Sequence, residues 1–331
     1  MGRFAKTALC ALSAAVLLAS CGQGRGGKKT AADPASNRFD MPEVPAMISS
    51  EAEAMDYIVT HYWDNFYSVE RPGDRDTALV RGFSESAFRE ILGQYALLLR
   101  SVSTEKALKS CEAFLQSTEK AQLEAGEGTL WKKVTDAYAL VMGDPNSPYR
   151  NEEFCIPLYQ KIADSSLSGE SDKADAEAKL PLLRLNRLGE KANDFSYTMR
   201  NGRGGHLYGI DAEYTIIFFS NPGCPNCREV METLEQFPGI DSLIEGKYLA
   251  VANIYPDEDL SEWLKYSEIY PKNWINAYDH MQAIYGTPLY NIRAIPSVYL
   301  LDNEKRVLLK DVTTEYLMQY LQMIFPSQAT D

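Results

Sequence analysis

The sequence lacks an apolar run long enough to cross a bilayer: its one uninterrupted run, residues 8–20, stops short of the ~20 residues a spanning helix needs. Histidine is scarce, with only His61, His206 and His280, none beside another, so a zinc site of three or four converging ligands has no histidine pair to start from. His61 sits among core-facing aromatics and is read as a packed or surface residue. Basic residues are in deficit, 33 Lys and Arg against 46 Asp and Glu, and the formal charge of -13 excludes nucleic acid as a partner because such a surface repels phosphate. No fixed-period self-similarity is present, which excludes a solenoid. What is there is globular in character, 45% hydrophobic and 24% charged, and 331 residues predict about two domains.

Residues 1–20 read as a secretion signal: Arg3 and Lys6 make a positive start, an Ala/Leu/Val stretch follows, and small residues close it. Its ending, Leu18-Ala19-Ser20-Cys21, resembles the bacterial lipoprotein signal, which implies a diacylglycerol on Cys21 as the new first residue. Myristoylation is excluded because Lys6 stands where that motif wants Ser or Thr. Residues 21–45 are rich in Gly, Ala, Ser and Pro and predict a flexible tether, whose ~24 residues would span about 27 Å. The expected location is the cell envelope, lipid-anchored to a membrane and facing the periplasm.

From 46 to 188 the pattern predicts an all-α domain. Ser50 with Glu53 is a capping-box signature, and Met55, Ile58, Val59, Tyr62, Trp63 and Phe66 recur at helical spacing. Further amphipathic stretches are predicted over 88–99, from Ser103, over 130–142, 154–163 and 174–188, with a turn cluster at 143–148. Cys111 and Cys155 leave two readings open. They form a structural disulfide, which across 44 residues would stabilise by roughly 3–4 kcal/mol, or they are separate buried small hydrophobes.

After residue 188 the character changes. Tyr214-Thr215-Ile216-Ile217-Phe218-Phe219 is a strand without alternation, as expected at the centre of a sheet covered on both faces. Next come a turn, Cys224-Pro225-Asn226-Cys227, and a helix with Val230, Met231, Leu234 and Phe237 on one face. A cysteine at a helix start meets unpaired N–H groups and the positive dipole end, which favour thiolate over thiol and predict Cys224 as a nucleophile. Cys227, one turn along, is placed to reach Cys224 and resolve a mixed disulfide. Pro225 fits the first helical turn. With no second ligand pair for zinc, and a permanent disulfide across CxxC strained, redox use of the pair is the expectation, with no metal or cofactor. Strands follow at 248–254, 297–301 and 307–310, with helices at 260–267 and 317–324. Pro296 opens a strand, a position that predicts a cis peptide.

Residues 189–326 thereby resemble the thioredoxin-like superfamily, and within it the membrane-tethered thiol-disulfide oxidoreductases of the TlpA and ResA type. The resemblance rests on Gly189, Ala192, Asp194 and Phe195, the apolar strand, Cys224-Pro225-Asn226-Cys227, and Ile295-Pro296. The N-terminal half, notably Tyr62-Trp63-Asp64-Asn65-Phe66, resembles the helical domain of unknown function that precedes thioredoxin domains in many Gram-negative lipoproteins. The implied fold is an α/β thioredoxin fold, a central mixed sheet flanked by helices, preceded by an all-α domain. The implied activity is thiol-disulfide exchange on protein thiols or disulfides, with Cys224 attacking, Cys227 resolving, and Ile295 and Pro296 shaping the substrate groove.

The chain also departs from that family. Gly223 stands where many members have Trp, Phe218 where thioredoxins bury an Asp, and Val230 where some cytochrome-maturation members have an acid, with Glu229 beside it as the candidate for proton transfer. Asn226 is neutral where strong oxidases hold a histidine, which favours a reductase or isomerase. A reductant outside the cytosol needs electrons from a membrane partner. Peroxidase chemistry is disfavoured because Ile217 and Asn221 stand where its Pro and Thr would be. The alternative is a non-catalytic binding lipoprotein using the thioredoxin fold as scaffold.

Overall fold

A computed structural model describes residues 38–68 and 78–326, so Cys21, the signal segment and most of the predicted tether lie outside the described residues. Packing divides the chain into two units, one running to Val141 with Ser165–Ser168, the other comprising Met142–Asp164 and the chain from Gly169.

The first unit holds α1 (Glu51–His61), α2 (Asp64–Ser68), α3 (Glu85–Leu99), α4 (Thr104–Ala125) and α5 (Leu130–Tyr138). Three begin on a serine whose hydroxyl accepts an orphan N–H of the first turn: Ser50 from Glu53, Ser84 from Ala87 and Ser103 from Lys106. The core is aromatic. Trp63 stacks on Phe114 at 4.1 Å, Tyr62 on Tyr95 at 5.0 Å and Phe66 on Phe88 at 5.6 Å, and all six rings are buried. The Tyr62–Phe66 stretch is thus a packing motif, with Tyr62 Oη donating to Ile91 O and Asn65 Nδ2 to Asp40 O. Phe39 packs 4.9 Å from Tyr62, so the chain is already part of this core at 39, short of the tether end expected at 45. His61 pairs with Asp64 at 2.7 Å on the surface.

The second unit contains α6 (Glu152–Asp164), α7 (Glu170–Leu183), β1 (Ser196–Met199), β2 (Gly204–His206), β3 (Tyr214–Phe219), α8 (Pro225–Glu235), α9 (Ile240–Glu245), β4 (Leu249–Tyr255), α10 (Leu260–Tyr266), β5 (Ile275–Tyr278), α11 (Ala283–Gly286), β6 (Ser297–Leu301), β7 (Val307–Lys310) and α12 (Thr314–Ile324). Seven strands form one mixed sheet in the order β2-β1-β5-β4-β3-β6-β7, with β3, β4 and β5 parallel and the rest antiparallel. Alternation sorts the central strands onto two faces. Ile217, Phe219, Ile254, Tyr299 and Leu301 enter one buried layer; Ile216, Phe218, Val251, Val298 and Leu300 enter the other, against Val230 and Leu234 of α8 and Leu317 and Leu321 of α12. Each such side chain contributes roughly 1.5–3 kcal/mol on burial, which is why an unalternating run such as β3 belongs at the sheet centre.

By packing, the second unit begins at 142, ahead of the change of pattern at 188/189, because α6 and α7 pack with the sheet. Glu152 of α6 is fully buried with Arg293 Nε at 2.7 Å and Lys310 Nζ at 2.9 Å, ion contacts without directed hydrogen-bond geometry. Lys310 Nζ also donates to the last carbonyls of α7 and its exit, Leu183 O and Leu185 O. A buried carboxylate needs such partners, and here they come from residues far along the chain.

Cys111 and Cys155 are not joined by a disulfide. Cys111 is buried in the first unit beside Tyr95 and Tyr138, whereas Cys155 belongs to the second unit, where its thiol donates to Asn151 O one turn back at 3.4 Å. Of the two readings, the separate buried thiols are what the structure holds.

Candidate active site

β3 is parallel to β4 and ends at Phe219, and the first turn after the carboxyl end of such strands is where α/β folds collect functional groups. The chain leaves β3 through Ser220, Asn221, Pro222 and Gly223 and enters α8 with Cys224 as its N-cap. The Cys227 N–H donates to Cys224 Sγ at 3.2 Å, so the sulfur takes the place a capping oxygen would hold. Pro225 occupies the first helical position, where its missing N–H leaves nothing unsatisfied.

The two thiols differ in environment. Cys224 is partly exposed, whereas Cys227, one turn into α8, is buried at 5% exposure in the layer formed by Ile216, Phe218 and Val230. Burial, and then the neighbouring Cys224 sulfur, push the Cys227 thiol well above the usual thiol range. One sulfur is reachable from solvent and the other is buried behind it.

Phe219 pairs with Ser297, the first residue of β6, which sets Pro296 beside the loop that carries the cysteines. The Ile295–Pro296 bond is cis, as the position of Pro296 predicted. Ile295 and Pro296 line a groove with Asn226, Glu229, Thr314 and Glu315. Glu229 is exposed on that groove. A second recess is lined by Ser220, Cys224, Cys227, Met231, Tyr266 and Tyr270, among others, and no carboxylate lines it. The nearest acid in sequence therefore faces the groove, while the Cys227 thiol shares its recess with hydroxyls.

Gly223 carries φ of +71°, and a β-carbon there would stand 3.3 Å from Tyr266 Oη. A side chain at this position would meet both the left-handed backbone and the Tyr266 ring of α10.

Beneath the groove lies a group of residues that sequence reasoning missed. Ser297 Oγ donates to Asp311 Oδ1 at 3.0 Å, Arg293 Nη2 donates to Asp311 Oδ2 at 2.6 Å, and Arg150 donates to Asp311 O and Val312 O. Asp311 is only 4% exposed. These contacts fix the backbone on both sides of Pro296. Their members lie at 150, 293, 297 and 311, with no spacing pattern that could have marked them.

Residues 20–186 match the family described as Domain of unknown function (DUF5106). Among solved structures, a thioredoxin-like protein from Bacteroides caccae is 35% identical, with a TM-score of 0.73, covering 87% of this chain and 99% of that one. The C-terminal domain of an uncharacterized protein from Bacteroides fragilis is 48% identical over 41% of this chain and 97% of its own, with a TM-score of 0.40. The thioredoxin domain of a thiol-disulfide oxidoreductase from Bacteroides vulgatus is 17% identical over 42% of this chain and 97% of its own, with a TM-score of 0.34. No curated protein matches the chain. The chain belongs to the DUF5106 family and, like the Bacteroides caccae protein, carries a thioredoxin-like fold.

Proposed function

We propose that this protein is a thiol-disulfide oxidoreductase of the cell envelope, anchored by lipid at Cys21 and working as a reductase or isomerase on protein disulfides. The observation that carries the reading is the asymmetry of the CxxC pair: Cys224 at the helix start, accepting the Cys227 N–H and open to solvent, and Cys227 buried one turn behind it. In this reading the Cys224 thiolate attacks one sulfur of a substrate disulfide, a Cys224–substrate bond forms, and the other substrate sulfur leaves as thiolate and takes up a proton. Cys227 then loses its proton and attacks Cys224 Sγ. The Cys224–Cys227 bond forms, the second substrate thiol is released, and two electrons have passed to the substrate. Pro296 and Ile295 would border the substrate's main chain, and Glu229 would face it from α8. A membrane electron donor would return the pair to dithiol.

The test is the reduction potential of the pair in the full chain, measured by dithiothreitol equilibration with mass-tagged alkylation, together with insulin reduction. A potential near or below about -250 mV supports a reductase, and one near about -180 mV an isomerase. Insulin reduction should vanish in Cys224→Ser, and Cys227→Ser should accumulate a mixed disulfide. A pair that forms no exchangeable disulfide would overturn the reading and leave a binding scaffold.

A further inference from the structure

The groove beside the cysteines depends on where one short stretch of main chain is held. Ile295 and Pro296 line it, and Ser297, fully buried, follows at once as the first residue of β6. On one side Ser297 pairs with Phe219 of β3. On the other, the pairing of β6 with β7 ends at Tyr299–Lys310, before Ser297 is reached. The ladder therefore holds the start of β6 from one edge, and a side chain holds it from the other.

That side chain is Asp311. It follows β7 directly with φ of +46°, a left-handed turn that aspartate tolerates better than most residues with a β-carbon. Its carboxylate, 4% exposed, is used at both oxygens: Oδ1 accepts Ser297 Oγ at 3.0 Å, and Oδ2 accepts Arg293 Nη2 at 2.6 Å. Arg293 precedes Pro296 and Ser297 follows it, so one carboxylate grips the chain on both sides of the cis bond. Asp311 is itself fixed, because Arg150 donates from Nε to Asp311 O at 3.0 Å and from Nη2 to Val312 O at 2.9 Å. Arg293 is fixed too: its Nε stands 2.7 Å from Glu152 Oε1, and its Nη1 donates to Gly143 O. Gly143, Arg150 and Glu152 belong to the stretch that matches DUF5106, so the end of that match braces the groove of the thioredoxin-like half.

We propose that Asp311 is the positioning residue of the substrate groove: by gripping Ser297 and Arg293 it sets the main chain around Pro296 for the backbone of a protein substrate. The inference rests on the oxidoreductase reading above. Both carboxylate oxygens are taken by these donors, so the role is placement rather than proton transfer. Misplacement by about 1 Å can cost about a hundredfold where a reaction depends on orientation. A small disulfide has no main chain to place, so the grip matters to a protein substrate and not to such a probe.

The experiment uses the full chain and reads insulin reduction with dithiothreitol as electron donor. The reduced chain, freed of dithiothreitol, is separately mixed with dithiobis-nitrobenzoate, and the rate that Cys224→Ser also shows is subtracted from both. Ser297→Ala removes one bond to the carboxylate and touches no charge. It should raise KM for insulin about tenfold, the effect of losing one hydrogen bond to a charged group, and leave kcat within about twofold, the pattern of lost binding. Its rate with dithiobis-nitrobenzoate should stay within about twofold. Asp311→Gly, which keeps the left-handed backbone and drops the carboxylate, should raise KM at least as much, and adding Ser297→Ala to it should raise KM no further. Asp311→Asn, which keeps an oxygen for Ser297, should hold KM within about threefold of the unmutated chain. A purely structural role would lower the unfolding free energy in urea and leave KM unchanged. That result in Ser297→Ala, an additive rise in the double variant, or an equal slowing with the small probe would overturn the role of Asp311 alone. No exchange beyond Cys224→Ser in the unmutated chain would overturn the oxidoreductase reading itself.

Discussion

Tyr266 stands in front of Gly223, its hydroxyl 3.3 Å from the point that a β-carbon on this glycine would occupy. Two constraints meet there, a left-handed φ of +71° and a side chain against the open face of the residue. The backbone constraint is the larger, because a left-handed conformation costs a residue with a β-carbon roughly 1–2 kcal/mol. Gly223→Ala should therefore lower the unfolding free energy measured in urea by about that amount, and removing the Tyr266 ring in the same chain should recover only a small part. Full recovery in the double variant would show that contact rather than φ is decisive.

Glu152 offers a larger effect. Its carboxylate is fully buried between Arg293 and Lys310, with Asn291 Nδ2 donating to Oε1 at 2.6 Å. Glu152→Ala leaves two cations facing a cavity, and a buried pair broken on one side loses about 3–5 kcal/mol. Glu152→Gln should lose less because the amide oxygen still accepts. Denaturant unfolding of both variants checks the order, and equal losses would show that packing rather than charge is what the site needs.

The pH dependence of stability carries a signature of Cys111. Burial holds its thiol protonated up to about 12, whereas the value for an unburied thiol is 9.0. Above pH 9 the unfolded chain binds fewer protons than the folded one, so this contribution is whole below pH 9 and is lost as pH rises toward 12. The buried hydroxyls of Tyr62 and Tyr95 act in the same direction. Cys111→Ala should be about 1–2 kcal/mol less stable at pH 7 from lost packing. The gap should narrow between pH 9 and 11, as chemical denaturation across that range would show.

Trp63 packs against Phe114, Tyr95 and Phe66 and is 5% exposed, so the Tyr62–Phe66 stretch is expected to act through packing. Trp63→Ala should cost about 3–5 kcal/mol, and Trp63→Phe distinctly less, read from the urea midpoint of near-ultraviolet dichroism.

How much of this was legible beforehand differs by element. The β3 run, the CxxC at the head of α8 and the β6–β7 hairpin were plain because periodicity and turn chemistry are local. β1, β2 and β5 went unread: they are strands of three or four residues, too short for alternation to register, and pairing partners rather than local pattern hold them in the sheet. The apolar pattern runs five residues beyond the end of α7 at Leu183, since Leu185 and Leu188 continue it while Lys310 closes the helix from elsewhere.

By itself, the order of residues determined the helical half, the thioredoxin-like half and the pair of sulfurs at a helix start, because a helix cap, a buried strand and a CxxC turn are each written within a few neighbouring positions. Only the tertiary structure decided the rest. It left Cys111 and Cys155 in separate units, turned Glu229 toward the groove, set hydroxyls rather than a carboxylate beside Cys227, and gathered half-buried Arg150 and Arg293 onto buried Glu152 and Asp311. Those outcomes depend on which distant segments meet in a desolvated interior, where charge and hydrogen-bond demands must be met by whatever the packing brings within reach.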